Sequence, residues 1–542
     1  MAAMAGDTPQ GGIIGRLIRL ADFANPILVK ETRQALKSRQ FVATFMLLLV
    51  ASWIVSSFLL LNAGDQLEYR AVGGLFFSAY YLVLAFAVLA IVPFTAFRSL
   101  QAERELNTYD LLSITAMSPR QMVWGKLLSA VVQSLIYYSA ITPFIAFSSL
   151  LQGFDLFQVL FLLMVTFAQS IMVSMIALML SSFSKTRQWT GLLAIFLLGS
   201  LFQLMMANVL LLQLTLGGRV PFSDIGFWTV LGIIVIGLSS YFFLFLQIAT
   251  AQLTFESDNR STGIRITCSM QLILIWAVIF GLWFFRSQLS LPTRAMSALF
   301  DTLPMLTLGH VLLSGAMFAT EGDFLSARVR RAIPNNIIFK AMCTPVWPGG
   351  HRGLLYLMLH LSLSLFGIFV LSGLRNETSS ITWWEYSSGT LTGDLAQWPV
   401  LWKIASLVAL YGVIYIGVIS FISRLVLSLT SIIRAAHMRV VGVLIFMAGL
   451  LCPLILRALE LIKERQFTPI DFTSPPLIIS GISRDNPEFS YAFQGLAAVA
   501  ILVVLVNIRA LFRGVMEILF SRKKTSSKSS LTPAGSVSEA PA

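Results

Sequence analysis

Glu103, Asn107 and Asp110 stand at i, i+4 and i+7, so a helix through them carries one polar face, with Ala102, Leu106 and Tyr109 on a neighbouring apolar face. A few residues on, Ser118, Pro119 and Gln121 take the N-cap, N1 and N3 positions of a capping box that restarts a helix. Residues 97–126 therefore read as a short amphipathic helix, a turn and the start of an apolar run. A charged loop of this kind is commonly only a solvated face. The paired acids, the amphipathy and the capped restart within one loop set this one apart.

The patterns of catalysis are missing. Arg120 occupies the first-glycine position of a phosphate-binding loop ending at Gly125-Lys126, and Leu127 stands where Ser or Thr is required. The chain is thus expected to hydrolyse no ATP itself. There is no HExxH, DxD or GxSxG, and His310, His351, His360 and His437 are scattered. Cys268, Cys343 and Cys452 include no CxxC. No catalytic, cofactor-binding or metal residue is assigned, and no cofactor is expected on this chain. Asp301 and His310 lie in one apolar stretch, where ionisable groups at membrane depth are functional candidates by default. The amides Gln133, Gln169, Gln203, Asn208, Gln247 and Gln271 also sit within apolar runs; such groups more often bond neighbouring helices than line a substrate path.

The elements that must position these residues follow from composition. The 542 residues are 57% hydrophobic and 12% charged, whereas a soluble domain carries about 25% charged residues. No soluble core hides that much apolar surface. The expected fold is an all-α polytopic membrane protein. Spans are placed at 41–62, 74–96, 127–150, 157–183, 190–216, 226–250, 268–285, 295–319, 354–373, 401–423, 439–457 and 490–508, which makes twelve, or eleven if 295–319 does not cross. With both termini cytoplasmic, 28 of the 38 lysines and arginines fall on the inside. Omitting 295–319 would move Arg328, Arg330, Arg331, Lys340 and Arg352 outside, so the span is kept. The net charge of +13 then records topology and lipid attraction, and nucleic acid is not an expected partner.

Organisation follows from these spans. Residues 1–40 form a cytoplasmic lead, 41–250 a six-span unit with the loop 97–126, and 268–508 a second six-span half; 521–542 is a basic, then small-residue-rich tail expected to be disordered.

The run from Glu103-Arg104-Glu105 through Thr108 to two leucines, then Ser118-Pro119, then Gly125-Lys126, resembles the cytoplasmic loop of ABC-2 type transporter permeases. The lead segment with Asn25-Pro26, Lys30-Glu31 and Arg33, directly before the first span, resembles the amphipathic elbow helix of that family. The resemblance covers about 25–250 and implies a permease in a multi-pass arrangement in a cytoplasmic (inner) membrane. It implies a coupling loop docked into a separate ABC ATP-binding subunit, so that ATP acts through the partner and the substrate is exported. Asn107 stands where the family has Gly, and Asn tolerates left-handed backbone. No second coupling motif occurs in 251–267, 320–353 or 424–438, so a second permease chain, identical or different, is expected beside the lipid bilayer as partner. Two other readings stay open. One is a membrane enzyme using the outside loops 374–400 and 458–489, where Glu377, Glu385, Asp394, Asp471, Asp485 and Glu488 offer acids without paired spacing. The other is a non-transporting permease-like scaffold.

Overall fold

The computed structural model describes residues 26–64, 71–105, 118–183, 187–255, 258–289, 293–322, 325–334, 336–377, 400–430, 435–459, 468–478 and 487–520. Every regular element among them is helical. The helices are α1 (Pro26–Lys37), α2 (Arg39–Ala63), α3 (Gly73–Phe86), which runs through a π-helical turn (Ala87–Ile91) into α4 (Val92–Glu105), α5 (Pro119–Leu150), α6 (Leu156–Phe183), α7 (Arg187–Leu216) and α8 (Ile225–Leu253). They continue with α9 (Thr262–Phe284), α10 (Thr293–Ala319), α11 (Ala327–Ala332), α12 (Ile337–Cys343), α13 (Gly350–Glu377), α14 (Val400–Leu429), α15 (Ala435–Ala458) and α16 (Pro487–Leu519).

Twelve of these rods are long and apolar enough to cross a bilayer, α3–α4 counting as one. The interrupted stretch around Asp301 and Pro304 is among them, within the 27-residue α10. Trp53 on α2, Ile195 and Phe202 on α7 and Val443 on α15 are exposed. Large side chains left outside on so many rods have hydrocarbon as their solvent. The chain is an all-α, multi-pass membrane protein.

The residues group into two compact units, 1–255 with 263–303, and 256–262 with 304–542. In the first, α1 packs along α5, α3 against α5 and α4 along α6. Apolar burial drives little association in lipid, so close packing and interhelical hydrogen bonds must hold the rods. Phe76, Phe77, Tyr80 and Tyr81, successive faces of α3, are fully buried, and three tyrosine hydroxyls of the unit bond across helices. Tyr80 pairs with Ser56 at 2.7 Å, Tyr137 with Thr44 at 2.7 Å, and Tyr81 with Thr166 at 2.8 Å and Asn208 Oδ1 at 3.0 Å. Lipid-exposed α2 is thereby stitched to α3 and α5 by hydroxyl pairs. Asn208 is one of the amides picked out from the sequence, and it ties helices together as such groups commonly do. Gly73 begins α3 against the end of α5, where a Cβ would collide with the carbonyl oxygens of Ser148 and Gln152.

In the second unit, α14 packs on α16, α13 and α15. Arg352, 1% exposed, donates to Pro348 O and meets Glu517 Oε2 at 2.9 Å. Near the other end of the spans, Asp471 is fully buried and accepts from Arg457 Nη2 at 2.9 Å and from the Thr468 backbone N–H at 2.8 Å.

Candidate functional site

The sequence places Lys126 at the foot of the third span, and the structure shows why a lysine is tolerated there. α5 starts at Ser118 with the expected capping box: the Ser118 hydroxyl accepts from the Gln121 N–H, and Gln121 Oε1 accepts from the Ser118 N–H at 2.9 Å. The cap extends α5 eight residues beyond the hydropathic span start, so Gly125 and Lys126 lie in its third turn, both buried. There the Lys126 side chain is 2% exposed. An isolated ammonium at that depth would be costly.

Two carboxylates surround it. Lys126 Nζ lies 3.2 Å from Glu31 Oε1 on α1 and 3.0 Å from Glu103 Oε1 on α4, whose side chains are 13% and 12% exposed. Ser99 O accepts a further bond at 3.4 Å. Charge-assisted bonds of this kind are the strong ones, and enclosure removes the water that would screen them. One cation thus fastens the lead helix, the last turn of the second span and the first turns of the third. Lys30 lines the same cavity and adds a second positive charge beside the two acids.

The cavity around this joint has a volume of about 580 Å³ and runs between α1, α2, α4 and α5. Its wall mixes apolar and polar groups, and Gln34, Ser38, Thr95, Gln101, Gln133 and Tyr137 supply the polar ones. Gln133 accepts only a long bond, 3.5 Å, from Thr95 Oγ1. No group of three metal-ligating side chains occurs among the described residues. The site holds charge and hydrogen-bonding groups, which suit binding and the transmission of movement.

The rod that carries Glu103 contains the π turn. Val92 N–H donates to Ala87 O, five residues back, so the usual ladder is interrupted. Ser170 of α6 donates to Val88 O at 2.8 Å and meets Ser134 of α5 at 3.0 Å. One neighbouring helix, α6, thus satisfies a backbone carbonyl where the rod changes its winding, and α5 holds the serine that does so. Lower down, Ser181 donates to Phe97 O at 2.7 Å. Hydropathy reads neither the π turn nor these serines; a small polar residue every fourth position on α6, at Thr166, Ser170 and Ser174, is the signal that was available.

Of the sequence-derived candidates, the structure unites Glu31, Glu103 and Lys126, with Lys30 and the buried Gly125 beside them. Pro119 occupies the first turn of α5 as expected. Arg33 lies on α1 and takes no part in the joint's ion pairs. Arg104 and Glu105 end α4, where only the backbone is described, and Pro26 opens α1 in the same way. Asn25, Asn107, Thr108 and Asp110 lie outside the described residues. Asp301 and His310 are not brought together: nine residues apart on α10, they are separated by about 13 Å of helical rise and half a rotation. Of the acids in the outside loops, Asp471 is committed to Arg457 and Thr468. Glu385, Asp394 and Asp485 lie outside the described residues.

The fold thus defines a multi-pass α-helical membrane protein whose first unit closes on a buried Glu–Lys–Glu joint. Compared with protein-family models, with curated proteins and with solved structures, the chain matches none.

Proposed function

We propose that the chain is the membrane-spanning permease subunit of an ABC-2 type ABC transporter, exporting its substrate across a cytoplasmic (inner) membrane with ATP hydrolysed by a separate ATP-binding subunit. The observation that supports this most is the position of Lys126. It joins the lead helix through Glu31 to the end of α4 through Glu103, directly before the remainder of the coupling loop that the resemblance implies. A push on that loop by a docked partner would reach α4 first. It would then pass by ionic contact to α1 and α5, and by packing from α4 to α6. The cavity at the joint, which carries both polar and apolar groups, lies where such a movement would widen or narrow it. The resemblance of 103–126 and of the lead helix to that family supplies the class of partner. With one coupling motif per chain, a second permease chain completes the transporter.

The test is a pull-down of tagged full-length protein from mild detergent, wild type against Glu103→Ala/Glu105→Ala, reading co-purifying ATPase activity and the identity of the bound protein. An ATP-binding subunit held by wild type and lost in the double variant is expected. Well-folded wild type that brings down no ATPase overturns the reading.

A further inference from the structure

At the end of the second unit that is rich in lysine and arginine, α14 and α16 enclose a pocket of about 860 Å³. Arg424, Arg509 and Arg513 line it together with Phe421, Leu425 and Val506. Arg509 and Arg513 are i, i+4 neighbours on one face of α16, both exposed, and neither has an ion-pair partner among the described residues. Arg424 is fixed in place: Nη1 donates to Ser420 Oγ at 2.9 Å and Nη2 donates to Asn507 Oδ1. Asn507, itself 1% exposed, is held by Gly417 O and Val503 O.

Two carboxylates also border the pocket, but each is already engaged. Glu517 receives Arg352 at 2.9 Å and Arg330 at 3.7 Å. Glu321 accepts from Ser261 Oγ at 2.7 Å and from the Gly349 N–H at 3.1 Å. Three guanidiniums therefore set the sign of the space. Their planar forks suit a phosphate, which can accept two parallel bonds from one arginine.

The apolar wall decides what carries the phosphate. On the topology expected from the lysine and arginine bias, α14 and α16 both run toward the cytoplasm. A lining apolar residue stands about one turn before the cations on each: Phe421 before Arg424, with Leu425 level with it, and Val506 before Arg509 and Arg513. Phe421, Leu425 and Val506 are exposed on their helices. Cations at the membrane surface with hydrocarbon one to two turns deeper is the profile of a phospholipid. The sequence adds Arg522, Lys523, Lys524 and Lys528 directly after α16, a basic juxtamembrane cluster of the kind that attracts anionic leaflets.

We propose that this pocket binds the phosphate headgroup of an anionic lipid of the cytoplasmic leaflet, with its acyl chains along Phe421 and Val506. The site goes beyond the transport reading and is independent of it. It is tested on the full-length chain by native mass spectrometry in mild detergent, with three probes: phosphatidic acid, glycerol 3-phosphate and phosphatidylcholine. Wild type is expected to retain phosphatidic acid and neither of the others. Arg509→Gln/Arg513→Gln is expected to weaken that retention about ten-fold, the loss of two charge-assisted contacts. Arg424→Lys, which keeps the charge and removes the fork, should weaken it by a smaller factor. Lys523→Gln/Lys524→Gln should retain the lipid within about two-fold, because the tail attracts the leaflet without fixing a headgroup. Melting of Arg509→Gln/Arg513→Gln in phosphatidylcholine should match wild type, since both side chains are exposed. Unchanged retention in the pocket variants overturns the proposal. So does equal binding of glycerol 3-phosphate, which would mark a soluble phosphate ligand, or of phosphatidylcholine, which would mark an unselective lipid surface.

Discussion

Two clusters of charge, one in each compact unit, solve the same problem in opposite ways. In the first, a single lysine is enclosed by two glutamates and has lost nearly all contact with water. In the second, arginines outnumber acids; Arg352 alone is sealed in, against a glutamate that stays 33% exposed, while Arg509 and Arg513 remain open. The first arrangement is a closed joint, whose charges are spent on one another and which can transmit displacement. The second keeps positive charge in reserve, and a reserve of that sign is useful only to something negative that comes from outside the unit. Burial, more than charge count, separates a fastening from a receptor.

The difference can be broken most forcefully at Lys126. Lys126→Met leaves Glu31 and Glu103 enclosed without their cation, and removal of one partner from a buried ion pair costs about 3–5 kcal/mol. Loss of the folded peak on size-exclusion chromatography, or a melting temperature lowered by many degrees, is the expected result. Adding Glu31→Gln and Glu103→Gln should restore part of the loss, and wild-type melting of Lys126→Met alone would show that the joint holds nothing. Arg352→Gln should cost less, about 1–3 kcal/mol, because the glutamate it abandons can rehydrate. Thermal melting of the two variants side by side reads the contrast directly, and an Arg352→Gln loss as large as that at Lys126 would erase it. Ser170→Ala should have the smallest effect, about 1–2 kcal/mol for its two neutral hydrogen bonds, to Val88 O and Ser134 Oγ. Its signature is local: faster amide exchange at 87–92 with little change elsewhere in the unit.

Much of the architecture was legible in the residues alone. Twelve apolar runs gave twelve spanning rods, and the arginines and lysine of 320–353 argued correctly for the interrupted one. The Ser118–Gln121 cap was readable because it is local: four consecutive residues carry all its donors and acceptors. The joint was not. Glu31, Glu103 and Lys126 were each picked out, but separately, because periodicity reports which face of a helix is polar and not which helix it meets. Hydropathy also set the third span to begin at 127. It penalises a charged lysine and cannot foresee two carboxylates that make its burial tolerable. Asp301 and His310 show the converse: ionisable residues sharing one apolar stretch invite pairing, yet helical rise keeps them apart.

The π turn at Ala87–Ile91 has a consequence for phase. An α-helix advances about 100° per residue, and a π turn accommodates one residue more than its α counterpart. The turn therefore offsets every face below it against every face above. Above it, α3 aims Phe77 and Tyr81 into the protein; below it, the same rod must aim Glu103 at Lys126. Without the additional residue the two halves of the rod would be out of step by more than a quarter rotation, and the tyrosines and the glutamate could not both meet their partners. The irregular turn acts as a keyway, locking the angular setting of the charged end to that of the packed end.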